Sequence, residues 1–137
     1  MYVAIARGDA KTAQDVARNR PSPWREMNLA IATQISPDRA AADAALANVL
    51  ASKAGANTSP YLVAQAYALR DDPDRTVEWL ERAPADDMLF MLTDPLILRF
   101  RKDPRLIVFC EKIGLPPPDS SEALSIDQIR ASFAAQH

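Results

Sequence analysis

Six prolines in the chain directly follow a serine or an aspartate, and this pairing constrains the fold more than any other feature of the sequence. The pairs are Ser22-Pro23, Ser36-Pro37, Ser59-Pro60, Asp72-Pro73, Asp94-Pro95 and Asp103-Pro104. A serine or aspartate oxygen accepts a hydrogen bond from a backbone N–H that the first helical turn leaves without a partner, and proline in that turn has no N–H to lose. The six pairs therefore predict helix starts rather than breaks.

The spacing of apolar residues also predicts an all-α fold. Leu106, Phe109, Cys110 and Ile113 fall at i, i+3, i+4 and i+7, which gives one buried stripe on a helix. The strict alternation that is typical of strands is nearly absent. We predict helices over residues 1–7, 10–20, 23–34, 37–53, 60–70, 73–83, 86–92, 95–101, 104–113 and 125–136, the last with Ser125 and Gln128 as a capping box.

Composition and charge argue against several classes of protein. The 137 residues, 48% hydrophobic and 25% charged, have the make-up of one globular domain. No run of about 18 apolar residues predicts a membrane span, and the opening "MYVAIARGDAKTA" lacks the features of a signal peptide. The net charge of −2 argues against nucleic-acid binding. A single cysteine favours a reducing compartment, so we expect a cytoplasmic protein.

Charge is distributed unevenly along the chain. An acidic segment holds Asp71, Asp72, Asp74, Glu78, Glu81, Asp86 and Asp87, and a basic segment holds Arg99, Arg101, Lys102 and Arg105. We expect two solvated helix faces that oppose each other across the molecule. The alternative is that the basic segment, with Phe100 among its cations, binds phosphate.

The sequence offers little material for catalysis. Its glycines, at positions 8, 55 and 114, are too far apart for a phosphate-binding loop, and His137 is the only histidine. Cys110 lies on an apolar stripe and is expected to be a buried hydrophobe. The pairs Asp71-Asp72 and Asp86-Asp87 are explained by helix capping and the helix dipole. We therefore predict no enzyme activity, no cofactor and no metal site.

Two parts of the chain look like copies of one unit. "SPW" at 22–24 and "SPY" at 59–61 lie 37 positions apart, and the two "PDR" triplets at 37–39 and 73–75 lie 36 apart. A repeat of this length that holds two helices is typical of a helical solenoid.

The stretch 60–83 resembles the tetratricopeptide repeat. Its small and large positions match Ala64 and Tyr67 in the first helix and Thr76, Leu80 and Ala83 in the second. "RGDAKTA" at 7–13 looks like the turn and second-helix start of an earlier repeat, whereas 23–53 lacks the expected glycine. The resemblance implies a superhelical stack of antiparallel helix pairs.

The end of that region is similar to a known type of tail. "DPLILRFRKDPRLIVFCEKIGLP" at 94–116 resembles the segment that closes tetratricopeptide regions in bacterial regulatory proteins, including transcriptional regulators and adenylate cyclases. We therefore expect a repeat domain over 1–116, followed over 117–137 by a proline-rich linker and a docking helix. The chain is either the C-terminal piece of a longer regulatory protein or starts at its own methionine with a degenerate cap.

In proteins of this family the first helix of each pair usually contacts the ligand. Aligning the two "SP" starts makes Arg25, Asn28, Tyr61 and Gln65 the candidate peptide-binding residues. Tyr61 and Trp24 have the alternative role of filling gaps between helices. The first functional hypothesis is a scaffold that binds a protein or peptide in a concave groove. The alternatives are self-assembly into a homo-oligomer, in which the helix at 125–136 completes a neighbour, and association with nucleic acid as a regulator.

Overall fold

The structure, a computed structural model, describes residues 1–22, 24–52, 58–120 and 125–136. All regular elements in this part of the chain are helical, which confirms the predicted all-α class. The α-helices are α1 (Tyr2–Arg7), α2 (Ala10–Arg18), α3 (Trp24–Thr33), α4 (Arg39–Ala51), α5 (Pro60–Leu69), α6 (Pro73–Leu80), α7 (Pro104–Lys112) and α8 (Ile126–Gln136). Ala85–Thr93, Leu98–Phe100 and Pro118–Ser120 form 3₁₀ helices. None of the described helices is both long and apolar enough to cross a bilayer.

Three of the predicted helix starts, at Pro60, Pro73 and Pro104, agree with the structure. Asp72 accepts from the Arg75 N–H at 3.1 Å and begins α6, and Asp103 accepts from the Arg105 N–H at 2.9 Å and begins α7. Ser59 precedes α5 without a side-chain cap bond. Pro23 lies outside the described residues.

Two of the predicted starts are wrong. Helix α4 begins after Asp38, not after Ser36, because the Asp38 carboxylate accepts from the Ala41 N–H at 3.0 Å. Asp94-Pro95 begins no α-helix, since residues 95–97 form a turn that leads into Leu98–Phe100. The Asp94 carboxylate bonds to side chains of α5 instead.

Several predicted helix ends also move. The helices predicted over 10–20 and 73–83 end earlier, at Arg18 and Leu80, and the one predicted over 86–92 is a 3₁₀ helix. Beyond the last turn of α2 and of α6, backbone N–H groups donate to carbonyls three residues earlier, as the Arg20 N–H does to the Ala17 carbonyl. These tightened turns end the α-helical pattern.

The cap of α6 allows a direct test of whether an aspartate before a proline stabilises a helix start. Replacing Asp72 with alanine is expected to lower the free energy of unfolding by about 1 kcal/mol, because the Arg75 N–H loses its acceptor. Urea denaturation measures the change. Asp86→Ala, which removes an exposed aspartate from the first turn of a 3₁₀ helix, is the control. Equal effects of the two substitutions would contradict the capping role.

Helix α5 lies at the centre of the fold and is shared by two apolar cores. Val63, Ala66 and Leu69 pack with α1–α4 in the first core, and Ala64 and Ala68 pack in the second. The second core is completed by α6, α7 and the chain between them. A helix that is apolar around its whole circumference has to be covered on all sides. Most residues of α5 are accordingly buried.

Each of the two segments predicted to be copies of one unit holds two helices that pack together, while the repeat itself stays a prediction. Helices α3 and α4 pack together, as do α5 and α6, and α3 also contacts α5. These contacts are those that a stack of pairs needs, while the superhelical arrangement itself stays a prediction.

The last helix packs on the first. Arg130 Nη2 donates to the Ile5 carbonyl at 3.0 Å, and the Arg7 guanidinium lies 5.3 Å from the centre of the Phe133 ring. The predicted capping box is confirmed, since the Ser125 N–H donates to Gln128 Oε1 at 2.9 Å and the Gln128 N–H to Ser125 Oγ at 3.3 Å. Helix α8 therefore docks on the body of its own chain.

The acidic and basic segments oppose each other, as predicted. Arg105 pairs with Asp74 at 3.1 Å, Lys112 with Glu81 at 3.6 Å, and Arg99 with Asp71 at 4.0 Å. The Arg99 side chain is only 13% exposed and also donates to the Ala68 carbonyl at 2.6 Å. Arg99 and Arg105 of the basic segment thus have partners within the chain, and so does Lys112 of α7.

Candidate functional site

A cavity of about 300 Å³ lies between α1, α5 and the chain that follows Phe90. Most of its lining is apolar or aromatic, and its polar groups are concentrated on one side. We call it the Asp94 cavity; it is lined by Tyr2, Ala6, Tyr61, Gln65, Phe90, Thr93, Asp94, Pro95, Leu96 and Ile126. An apolar cleft with a few fixed polar groups is the usual form of a binding site.

The polar side of the cavity is a network centred on Asp94. Asp94 Oδ2 accepts from the Tyr61 hydroxyl at 2.7 Å and from Gln65 Nε2 at 2.8 Å. Asp94 Oδ1 accepts from the Leu96 N–H at 2.9 Å. The Tyr2 hydroxyl donates to Gln65 Oε1 at 2.9 Å. Three neutral donors therefore hold one carboxylate in place.

Helix geometry explains why this network is rigid. Tyr61 and Gln65 lie one turn apart on α5, so both side chains point from the same face of the helix. They are only 9% and 7% exposed, which fixes their rotamers by packing. Asp94 ends the 3₁₀ helix Ala85–Thr93, and its own backbone carbonyl accepts from the Leu98 N–H at 2.9 Å.

Asp94 forms no ion pair with the described residues. Among the described lining residues it is also the one acidic side chain, and none of the others is basic. The cavity therefore has aromatic walls and a single carboxylate.

Both tyrosines of the network stay protonated at neutral pH. Desolvation, followed by the nearby charge of Asp94, raises the pKa of Tyr2 to about 12. The same causes, again with desolvation as the larger, raise the pKa of Tyr61. Each phenol therefore keeps its proton and remains a hydrogen-bond donor.

The structure separates the four residues that the sequence grouped together. Tyr61 and Gln65 meet in the Asp94 cavity. Arg25 and Asn28 lie elsewhere, with Arg25 Nε bonded to the Arg20 carbonyl at 2.9 Å and Asn28 Nδ2 to the Trp24 carbonyl at 2.7 Å. Both of these side chains thus bond to nearby backbone in their own part of the chain.

Sequence reasoning missed two members of the site, Tyr2 and Asp94. Tyr2 bonds to a residue 63 positions away, and Asp94 bonds to residues 29 and 33 positions away, so no local pattern connects them. One signal was available for Asp94. It is followed by three consecutive apolar residues, Leu96 to Leu98, and all three are buried, a pattern that does not fit one face of a helix.

Other features of the described residues offer less. A second cavity, of about 340 Å³, lies between α6 and α7 and is lined mainly by apolar residues such as Leu80 and Phe109. No three histidine, cysteine or carboxylate side chains of the described residues are grouped as a metal site. Cys110 is fully buried, and this burial raises the pKa of its thiol to about 11.

The buried thiol predicts a loss of stability at alkaline pH. Its folded-state pKa lies above the ordinary value of 9.0, so its contribution is complete below pH 9 and is lost as the pH rises towards about 11. Between pH 9 and about pH 11, the free energy of unfolding should therefore fall less for Cys110→Ala than for the wild type. Urea denaturation at the two pH values measures this difference. Tyr2 and Tyr61 act in the same direction but are common to both proteins. Equal losses would contradict the raised thiol pKa.

Comparison with known proteins gives no family for this chain. No protein-family model matches it, and no curated protein or solved structure is significantly similar to it. The tetratricopeptide resemblance therefore stays an expectation from the sequence, and function has to be argued from the site itself.

Proposed function

We propose that this chain is a non-catalytic protein-interaction module that takes one side chain of a partner segment into the Asp94 cavity. The observation that carries the proposal is the cavity itself, an apolar and aromatic cleft whose few polar groups are held in fixed positions. Its volume is near the lower end of the range of about 300–1,000 Å³ for small-molecule sites, which suits a single side chain.

Exposed apolar side chains beside the cavity support a protein partner. Leu89 and Phe90 are adjacent in the chain and are 73% and 69% exposed. Phe90 lines the Asp94 cavity, and Leu89 lines the second cavity on the other side of the 3₁₀ helix. Aromatic residues in such positions are common anchors of protein interfaces.

The position of the cavity agrees with the predicted repeat. Its walls include Tyr2 and Ala6 of α1 and Tyr61 and Gln65 of α5, and these are first helices of the expected pairs. In the family that the sequence resembles, first helices contact the ligand. A role as the regulatory part of a larger bacterial signalling protein follows from the same resemblance.

Selection from a random-peptide display library tests the proposal. Peptides that bind the purified chain should bind through the Asp94 cavity, so Phe90→Ala should weaken them on the order of tenfold, as truncation of an interface anchor does. Val108→Ala is the matched control, because Val108 is an apolar residue that is 61% exposed on α7 and lines neither cavity. Peptides that bind Phe90→Ala as tightly as the wild type would refute the proposal.

Self-assembly is the alternative, and the mass in solution distinguishes it. We predicted that the helix at 125–136 would complete a neighbouring chain. This has less support because α8 packs against α1 of the same chain. Light scattering should give the mass of one chain, both for the wild type and for a variant that lacks residues 125–136. An oligomer that dissociates on this deletion would favour self-assembly.

A further inference from the structure

We propose that the Asp94 cavity selects a cationic side chain, the ammonium of a lysine or the guanidinium of an arginine in the partner. This inference rests on the proposed function, since it names the chemistry of the side chain that the module accepts. It is carried by the carboxylate of Asp94, by the three aromatic rings that line the same cavity and by the contacts that the protein's own arginines make with rings.

The carboxylate has room for one more donor. An ionised carboxylate offers about four acceptor positions, and Asp94 uses three of them, for Tyr61, Gln65 and the Leu96 N–H. All three donors are neutral, so they orient the negative charge without compensating it. A cation that enters the cavity meets an anion whose geometry is already fixed.

Aromatic rings provide the second attraction. Tyr2, Tyr61 and Phe90 all line the cavity, and the face of an aromatic ring attracts ammonium and guanidinium groups electrostatically. Their combination with a carboxylate is the usual chemistry of sites that recognise organic cations. A neutral apolar side chain would make no use of the Asp94 charge, and an anionic one would be repelled by it.

The protein already pairs arginines with rings elsewhere in its fold. Among the described residues, Arg7 lies over Phe133, Arg75 over Tyr67, Arg82 over Trp79 and Arg99 over Phe100, at 4.3–5.7 Å from the ring centres. The three rings of the Asp94 cavity have no such arginine in the same part of the chain. The cation that completes this arrangement is the group that we propose a partner supplies.

Titration with small probes tests the charge requirement directly. We expect n-butylammonium, which reproduces the end of a lysine, to bind ¹⁵N-labelled protein on the order of tenfold more tightly than 1-butanol, its neutral counterpart. The Leu96 amide and the Gln65 side-chain amide both bond to Asp94, so their NMR signals should shift in the titration. Salt should weaken binding of the ammonium and leave that of the alcohol unchanged.

Two variants separate the ring contribution from the charge. Phe90→Leu keeps an apolar wall but removes the ring, and it should weaken butylammonium binding about two- to fivefold while 1-butanol binds as before. Phe90 is 69% exposed, so this variant is expected to fold normally. Asp94→Asn should abolish the preference for the ammonium. Val108→Ala should change neither affinity.

Equal binding of butylammonium and 1-butanol to the wild type would overturn the inference, as would shifts that leave the Leu96 and Gln65 amides unmoved. The proposed function is judged separately, by the effect of Phe90→Ala on the selected peptides. Peptides that need Phe90 but contain neither lysine nor arginine would refute the cation preference and leave the interaction role intact.

Discussion

Replacing Asp94 with alanine is expected to lower the free energy of unfolding by about 3 kcal/mol, a large part of the stability of an ordinary domain. The substitution removes the acceptor of the Tyr61 hydroxyl, the Gln65 amide and the Leu96 N–H at once. An unsatisfied buried donor costs about 1–3 kcal/mol. Three donors lose their acceptor, but all three residues line the cavity, so we expect the total loss to lie near the lower end of the summed range. Urea denaturation followed by circular dichroism measures the loss.

Asp87 provides the matched control for this experiment. Its carboxylate accepts one hydrogen bond, from Ser59 Oγ at 3.2 Å, so Asp87→Ala should cost less than about 1 kcal/mol. Asp94→Asn keeps one oxygen and should fall between the two variants. A similar loss for Asp87→Ala and Asp94→Ala would show that the network does not organise this part of the fold.

Replacing Ala64 with tryptophan is expected to destabilise the protein by about 3 kcal/mol and to lower the melting temperature by roughly 10 °C. Ala64 is fully buried on the face of α5 that packs in the second core. A large side chain there forces α5 away from its neighbours, because the interior has no room for it. Calorimetry gives the melting temperature.

The control for this substitution is Ala44→Trp. Ala44 is an exposed alanine in the middle of α4, where a large side chain extends into solvent. We expect a change in melting temperature of no more than a few degrees for it. An unmoved melting temperature for Ala64→Trp would contradict both the close packing of α5 and the small position that the repeat alignment assigns to Ala64.

The features that could be predicted from sequence are those that depend on neighbouring residues. The caps at Asp72 and Asp103 and the capping box of Ser125 and Gln128 join groups no more than three positions apart. The burial of Cys110 followed from the period of one helix. Local patterns of this kind determine the helical class because each helix is specified by its own ends and its own apolar face.

The sequence singled out only some of the residues that line the Asp94 cavity. Tyr61 and Gln65 were chosen by aligning the two "SP" starts, on the expectation that first helices of a repeat contact the ligand. Tyr2 and Asp94 were not, since only the folded chain brings α1 and the turn after Thr93 to that face. Asp94 precedes a proline and therefore satisfies the rule for a helix start. Its carboxylate instead bonds to side chains that are distant in sequence, such as Gln65.

The contact between α1 and α8 has a consequence for the order in which the protein is made. The Ile5 carbonyl accepts from the Gly8 N–H and also from Arg130, which is added 125 residues later. At about 5–20 residues per second, a ribosome needs roughly 6–25 s for that interval. During this time α1 can pack against α2 but lacks α8, so the contact between the first and last helices forms only after almost all of the described chain has been made.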